Sequence, residues 1–378
     1  MGKIFDFPYR TVAEINLQAL VKNLVSLRSS CRKEVIPVVK ADAYGHGMVP
    51  IAKVLLHRGC CEALAVATLE EAIELRNQFN RRFSILVLSG FLPHQVAAYY
   101  RYNLIPVIHS LPHLKSLLHR SQLPPIHLKL DSGMNRLGIK PVEMPDAMET
   151  LKKLPDKLAG FATHLADSED TRSQFIDEQL SVFEHWCNEL RSRRLLQTDA
   201  RIHFANTGAV LRGKASFSTA VRPGIALYGI SPNSLLESGE QLVPILQWKT
   251  RILSIKTLHK GDTVGYGRAY EAGEGERIAL VSVGYADGYP RLASNRGHVL
   301  INGQKAPIRG VISMDLLAVD VTHVEGAREA GLVCLIGQDG KNRVSAWDIA
   351  RWSETIPYEI LCGLSKRVQK IYFDSEAT

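Results

Sequence analysis

The chain has 378 residues, 46% of them apolar and 22% charged, with a net charge of +8 and an isoelectric point near 9.1. That balance excludes a disordered or low-complexity chain and gives enough length for two domains, or for one large barrel with an appendage. No stretch is long and uncharged enough to span a membrane, and the basic residues are scattered rather than gathered into a nucleic-acid footprint, so neither a membrane nor a nucleic acid is an expected partner.

The opening Met1-Gly2-Lys3-Ile4-Phe5-Asp6 lacks the apolar core of a signal peptide and the myristoylation pattern, which predicts a cytoplasmic protein. A short strand, Thr11-Val12-Ala13-Glu14-Ile15, leads to Asn16, placed to cap a helix running to about Cys31. Apolar runs then alternate with amphipathic segments. The runs lie near 35–40, 63–67, 84–89, 104–109, 126–131, 157–163, 201–205 and 219–222, with helix-like segments such as 69–75 and 175–180 between them. Eight strand-helix units of this spacing predict an α/β fold, a (β/α)8 barrel over residues 1–245. An open doubly wound sheet is the alternative, but Gly45-His46-Gly47 lacks the third glycine of a dinucleotide loop.

From about Leu246 the period changes. The runs 250–255, 278–283 and 318–321 are separated by glycine-rich turns without helices, which predicts a mostly antiparallel β domain over 246–378. The strand at about 8–15 is a candidate to pair with it, and short helices are expected only near 345–354. Six cysteines, two of them adjacent at 60 and 61, form no CxxC pair or metal-ligand spacing, so reduced thiols and no bound metal are expected.

In a barrel the functional site lies at the C-terminal ends of the strands. Lys40 ends the first run, beside the turn Ala41-Asp42-Ala43-Tyr44-Gly45-His46-Gly47. A poorly solvated strand-end lysine has a depressed pKa, as a Schiff-base lysine needs; snorkelling to water is the bland reading. Arg136 follows the fifth run, His164 ends the sixth, Asn206 and Thr207 end the seventh, and Arg222 ends the eighth before Pro223-Gly224-Ile225. The Asn-Thr-Gly and Pro-Gly turns offer hydroxyl and backbone N–H donors where such barrels hold phosphate.

The segments Thr11–Leu17, Val38–Gly47, Val264-Gly265-Tyr266-Gly267 and Ile356–Ile360 together resemble the alanine racemases. These are pyridoxal-phosphate enzymes built of a barrel and a β domain. The resemblance implies interconversion of L-alanine and D-alanine by two-base proton exchange at Cα, supplying D-alanine for cell-wall peptidoglycan. It implies that Lys40 carries pyridoxal 5'-phosphate as a Schiff base and exchanges the proton on one face, and that Tyr266 does so on the other. Tyr44, Thr207, Gly224, Ile225 and Tyr358 would hold the phosphate, with Asn206 in the same turn as Thr207. Arg222 would face the pyridine nitrogen, His164 would stack near the ring, and Arg136 would meet the phenolic oxygen and substrate carboxylate. Met314 and Asp315 match a segment that lines the substrate pocket. Lys129 matches a lysine that is carbamylated in some relatives; an ordinary ion pair with Asp131 is its other reading. A homodimer with shared active sites is also implied.

An arginine at the pyridine nitrogen, always charged, weakens the ring as an electron sink and suits brief proton exchange. Decarboxylases of this architecture place a carboxylate there. Where the family commonly has an arginine in its access corridor, the sequence Gly310-Val311-Ile312-Ser313-Met314-Asp315 has valine, with Arg309 two positions earlier. Serine or broader amino-acid specificity therefore stays open, and a pyridoxal-phosphate carrier without turnover, which would use the same barrel lysine, is the other alternative, against which the β domain bearing Tyr266 weighs.

Overall fold

The computed structural model describes residues 8–79, 83–120, 122–170, 172–233 and 242–374, and the opening Met1–Asp6 segment lies outside them. Two compact units emerge, one of Leu20–Ala43 and Met48–Val243, the other of Met1–Ala19, Tyr44–Gly47 and Pro244–Thr378.

The first unit is built on eight parallel strands: β2 (Glu34–Val35), β3 (Ala63–Val66), β4 (Ser84–Val87), β5 (Ile105–Ile108), β6 (His127–Lys129), β7 (Leu158–Ala162), β8 (Leu196–His203) and β9 (Ala220–Val221). They run in the order β2-β9-β8-β7-β6-β5-β4-β3, and a parallel bridge between Val38 and Ala65 brings the two ends of the row together. Strands β3 and β5 are buried at every position, as expected where helices cover the sheet and apolar runs are continuous rather than alternating. Outside the strands, Phe183 of the helix Phe175–Ser192 stacks on Phe161 at 4.7 Å and meets Phe204 edge-on, which ties that helix to β7 and to the end of β8.

The second unit holds β1 (Thr11–Asn16), β10 (Leu246–Thr257), β11 (Arg277–Val281), β12 (His298–Ile301), β13 (Gln304–Pro307), β14 (Leu317–Asp320), β15 (Leu332–Asp339), β16 (Asn342–Val344) and β17 (Gln369–Phe373). Its spine reads β13-β12-β15-β10-β1-β17, with β11 on β10, β14 on β11 and β16 on β15. β1 lies antiparallel to β10 and parallel to β17. Asn16 then turns the chain into the helix Leu17–Cys31, its Oδ1 accepting from the N–H groups of Gln18 and Ala19 at 3.0 and 3.1 Å.

Two local expectations are corrected. Helices in the second unit are not confined to 345–354, because Pro357–Cys362 follows Ala346–Trp352. Six residues are too few for a readable period, and the surviving signal is the proline at the first helical position. The first apolar run does not stay extended to Lys40. Its ladder ends with Val39 N–H donating to Ala65 O at 2.9 Å, and Lys40 opens a turn of the opposite hand.

Candidate active site

After Lys40, the residues Ala41, Asp42, Ala43 and Tyr44 all have φ between 52° and 54°. Four successive side-chain-bearing residues in the left-handed region make one turn of left-handed helix, at a cost of about 1–2 kcal/mol each. The total rivals the net stability of a domain, so the turn must be fastened from outside. Glu71 supplies much of that fastening. Its Oε1 accepts from Ala41 N–H at 2.7 Å, and its Oε2 from Ala67 and Thr68 N–H at 2.8 and 3.1 Å. The carboxylate thus joins the end of the first run to the end of β3, where the strand ladder has run out. Ala43 N–H donates to Val39 O at 2.9 Å, and Asp42 Oδ1 accepts from Met48 N–H at 2.7 Å. Lys40 is therefore aimed by a strained, pinned turn.

Arg222 follows β9 and is 6% exposed. Its Nη1 donates to His203 O at 2.6 Å and lies against His203 Nδ1; its Nη2 donates to Thr163 O at 2.9 Å and approaches His164 Nδ1 at 3.4 Å. No carboxylate is among these partners. Burial pushes the guanidinium down to about 10, which still leaves it charged at neutral pH. Lys129, buried on β6, is pushed down to about 8 by burial and by Arg222 and Arg136, with Lys40 a smaller cause. His164 is held well below the usual imidazole range by burial and by Arg222, Lys129, Arg136 and Lys40. Five cationic or basic groups named from the sequence therefore act on one another at one rim.

The carboxylate of Asp131 opposes the shift of Lys129 but is itself engaged elsewhere. Burial alone would raise it, but Lys140, 2.8 Å away, and the N–H groups of Asn135 and Gly133 hold it below the usual carboxylate range. The ion pair expected between Lys129 and Asp131 is not formed; Asp131 pairs with Lys140 instead, because the loop after β6 folds back to lay Ile139 beside Leu130. Arg136 stands exposed on that loop.

Asn206 caps the short helix Thr207–Leu211, its Oδ1 accepting from Ala209 N–H at 3.2 Å and from Ser168 Oγ at 2.6 Å. Buried Thr207 accepts from Gly224 N–H through Oγ1 at 3.1 Å, so the turns after β8 and β9 are bonded to each other. Among the described residues the hydroxyl proton of Thr207 has no acceptor, and Ile225, next after Gly224, is fully buried.

In the second unit Tyr44 and Tyr358 come together, with ring centroids 6.0 Å apart. Burial, and secondarily Cys362, pushes the Tyr44 phenol far above its ordinary range, so it is a donor and not a base. Between them Gly45, at φ +80°, lies so close to Leu361 that a Cβ would stand 2.1 Å from its carbonyl oxygen. Tyr266 opens the turn Tyr266–Arg268 and is 72% exposed. The segment 310–315 packs between that turn and the one at Gly284, since a Cβ on Gly310 would meet Val264 O at 2.5 Å and one on Gly284 would meet Ser313 O at 2.3 Å. Three exposed apolar side chains, Tyr266, Tyr285 and Met314, are thereby carried on adjoining turns. Asp315 is held by Arg367 Nη2 at 2.7 Å.

Family comparisons agree along the whole chain. Residues 15–232 match the model of the alanine racemase N-terminal domain, and residues 245–372 match that of the alanine racemase C-terminal domain. This chain belongs to the alanine racemase family. It is 38% identical over 370 residues to the alanine racemase of Halothermothrix orenii, covering 96% of each chain, and 37% identical to that of Methylacidiphilum infernorum, covering 96% of this chain and 92% of the other. Among solved structures, the alanine racemase of Bacillus anthracis with bound L-Ala-P superposes with a TM-score of 0.89 at 31% identity, covering 98% of this chain and 97% of that one. The Bartonella henselae enzyme, with covalently bound pyridoxal phosphate, gives 0.87 at 31% identity, with 97% and 100% covered.

Three residues not singled out from the sequence stand beside ones that were, Glu71 next to the Lys40 turn and His203 next to Arg222 in the first unit, and Tyr285 next to the Met314 segment in the second. Glu71 reads as the third residue of a capping box with Thr68, which it also is. His203 ends β8 and looks like one more strand residue. Tyr285 sits in Val283-Gly284-Tyr285, a glycine-flanked tyrosine like that at 266, and this repeat is the signal that could have found it.

Proposed function

We propose that this chain is a pyridoxal-phosphate-dependent isomerase that interconverts L-alanine and D-alanine and so provides D-alanine for cell-wall peptidoglycan in the cytoplasm. The observation that carries the reading is the rim of Lys40, Lys129, Arg136, His164 and Arg222, basic groups that act on one another, with the neighbouring Asp131 carboxylate paired to Lys140. Such a rim calls for an anionic occupant, and a phosphate ester that also bears an oxyanion and an aldehyde fits it. The Thr207 hydroxyl and the Tyr44 phenol, both buried, each offer a donor that suits a phosphate.

In the proposed division of labour, residues 1–245 hold the cofactor and residues 246–378 bring the second proton-transfer group. When bound, pyridoxal phosphate supplies the electron sink that makes a Cα proton removable. Lys40 Nζ takes or returns that proton on one face and Tyr266 Oη on the other, since inversion requires acid/base groups on opposite sides. Thr207, Tyr44, Tyr358 and the backbone at Gly224 and Ile225 bind phosphate, with Asn206 shaping their turn. Arg222, held by neutral acceptors, keeps its full charge against the ring nitrogen. His164, kept neutral, packs beside the ring, and Arg136 meets the substrate carboxylate. Met314 and Asp315 bound the substrate pocket.

A broader amino-acid range is the second reading. It is favoured by Val311 standing where the family commonly has arginine, and by Arg309 being engaged elsewhere, stacked 4.8 Å from the Tyr270 ring centroid. One experiment addresses both readings. The purified protein should absorb in the region of about 400–430 nm, borohydride should fix the label on the peptide containing Lys40, and L-alanine should turn over faster than L-serine. Label on another lysine, or no turnover of either amino acid, refutes the reading.

A further inference from the structure

Barrel interiors of this kind are ordinarily filled by branched apolar side chains. Here two histidines without exposed surface, His127 on β6 and His203 on β8, stand inside instead. Their rings are 4.9 Å apart, with His127 Nδ1 2.7 Å from His203 Nε2. On its other side, His203 Nδ1 lies against Arg222 Nη1.

The direction of this chain of contacts follows from donor chemistry. A guanidinium only donates, so His203 Nδ1 must present its lone pair. The ring is neutral, since burial and then Arg222 hold its pKa well below the usual range. Its single proton therefore sits on Nε2 and points at His127, whose Nδ1 must accept. His127 is likewise kept neutral, pushed down to about 3 by burial and by Arg201 and Arg222. Its own proton is left on Nε2, a buried nitrogen with no hydrogen-bond partner among the described residues. An unpaired buried N–H is costly, and a leucine at 127 would avoid it.

Gly160 shows that the fold makes room for this ring. It is the register partner of His127 on β7, and a Cβ there would stand 2.7 Å from Cγ, Cδ2 and Cε1 of the imidazole. The strand gives up a side chain to seat a histidine that is left with an orphaned proton.

We propose that His127, seated on the bare backbone of Gly160, is a positioning residue for Arg222: its Nδ1 accepts the hydrogen bond from His203 Nε2–H and so keeps the Nδ1 lone pair of His203 turned to the guanidinium. Without that acceptor, His203 can carry its proton on Nδ1, where it would oppose Arg222 and release one edge of the guanidinium plane. The functional consequence rests on the reading of Arg222 as the group that faces the cofactor's ring nitrogen.

The test uses the full chain labelled with 15N-histidine. Two-bond 15N-1H spectra of the cofactor-free protein should show His203 as the Nε2–H tautomer. In His127→Leu that tautomer should become mixed, and the cofactor-loaded protein should lose roughly tenfold in kcat with KM within about twofold, the scale of one hydrogen bond. His127→Asn, whose Oδ1 can accept the same proton, should recover the tautomer and most of kcat. Gly160→Ala keeps both histidines but unseats the ring, and should reproduce the kinetics of His127→Leu. If His127→Leu does not fold, the contrast between His127→Asn and Gly160→Ala decides alone. An unchanged tautomer with unchanged kcat in His127→Leu and Gly160→Ala, or an asparagine variant no better than the leucine one, overturns the proposal. Should Arg222→Lys leave racemisation intact while His127→Leu still mixes the tautomer, the role given to Arg222 fails and the imidazole relay stands.

Discussion

Lys129 offers a prediction in which two chemistries give opposite signs. Its ammonium is pushed from 10.5 down to about 8 by burial and by neighbouring cations. At pH 7 about a tenth of such an amine is neutral, roughly 300-fold more than for an ordinary lysine. A neutral amine can add to dissolved carbon dioxide: the nitrogen forms a bond to carbon, one C–O π bond opens to an oxyanion, and the nitrogen gives up a proton. The product is a carbamate, which turns a destabilising buried cation into an anion among Arg136, Arg222 and Lys40. Were Lys129 to remain an ammonium, the folded state would bind fewer protons than the unfolded state between pH 8 and 10.5. Stability would then rise across that window, and Lys129→Met would stabilise the protein at pH 7 by up to about 3 kcal/mol. With the carbamate in place the expected outcome reverses. Lys129→Met strips the anion from the arginines, lowers the melting temperature and slows turnover, and stability shows no rise from pH 8 to 10.5. Carbon-13 NMR after equilibration with labelled bicarbonate should show one carbamate resonance that disappears in Lys129→Met. No resonance, together with a more stable and equally active methionine variant, would refute the reasoning.

Three further outcomes are expected. Lys40→Ala and Tyr266→Phe homodimers should each be nearly inactive, but mixing them after dissociation should restore roughly a quarter of wild-type activity, because in a two-fold dimer that shares its sites half the dimers are mixed and half their sites are intact; no recovery, with exchange confirmed by mass, rules out shared sites. Glu71→Gln leaves one oxygen to serve three N–H donors and should loosen the left-handed turn, seen as roughly tenfold or greater faster amide exchange at Ala41 and weaker retention of pyridoxal phosphate, whereas Thr68→Ala should affect only the helix Leu69–Gln78. Gly45→Ala puts a Cβ against the Leu361 carbonyl in a left-handed position and should cost more than about 2 kcal/mol in denaturant unfolding; an unchanged midpoint contradicts the close approach.

The sequence by itself determined the alternation of apolar runs and helices, and hence a parallel barrel, because a strand covered by helices on its outer face is apolar throughout and announces itself within a few residues. It also determined which polar residues follow those strands, including Lys40, His164, Thr207 and Arg222, although none of them lies within a strand. Tertiary structure decided what those residues meet. The hand of the turn after Lys40 was illegible, since Ala41-Asp42-Ala43-Tyr44 contains no glycine to advertise positive φ; it is held by Glu71, thirty residues on, by Val39 and by the Asp42–Met48 hydrogen bond. Period two along β6 left an ion pair of Lys129 with Asp131 open as one of two readings; the loop that follows gives that carboxylate Lys140 instead, which no local pattern announces. His127, Gly160 and His203 are unremarkable in three separate strands. Only the lateral register of β6 and β7 and the turn into Arg222 make them one path, because pairing between strands far apart in sequence is fixed by packing and not by local pattern.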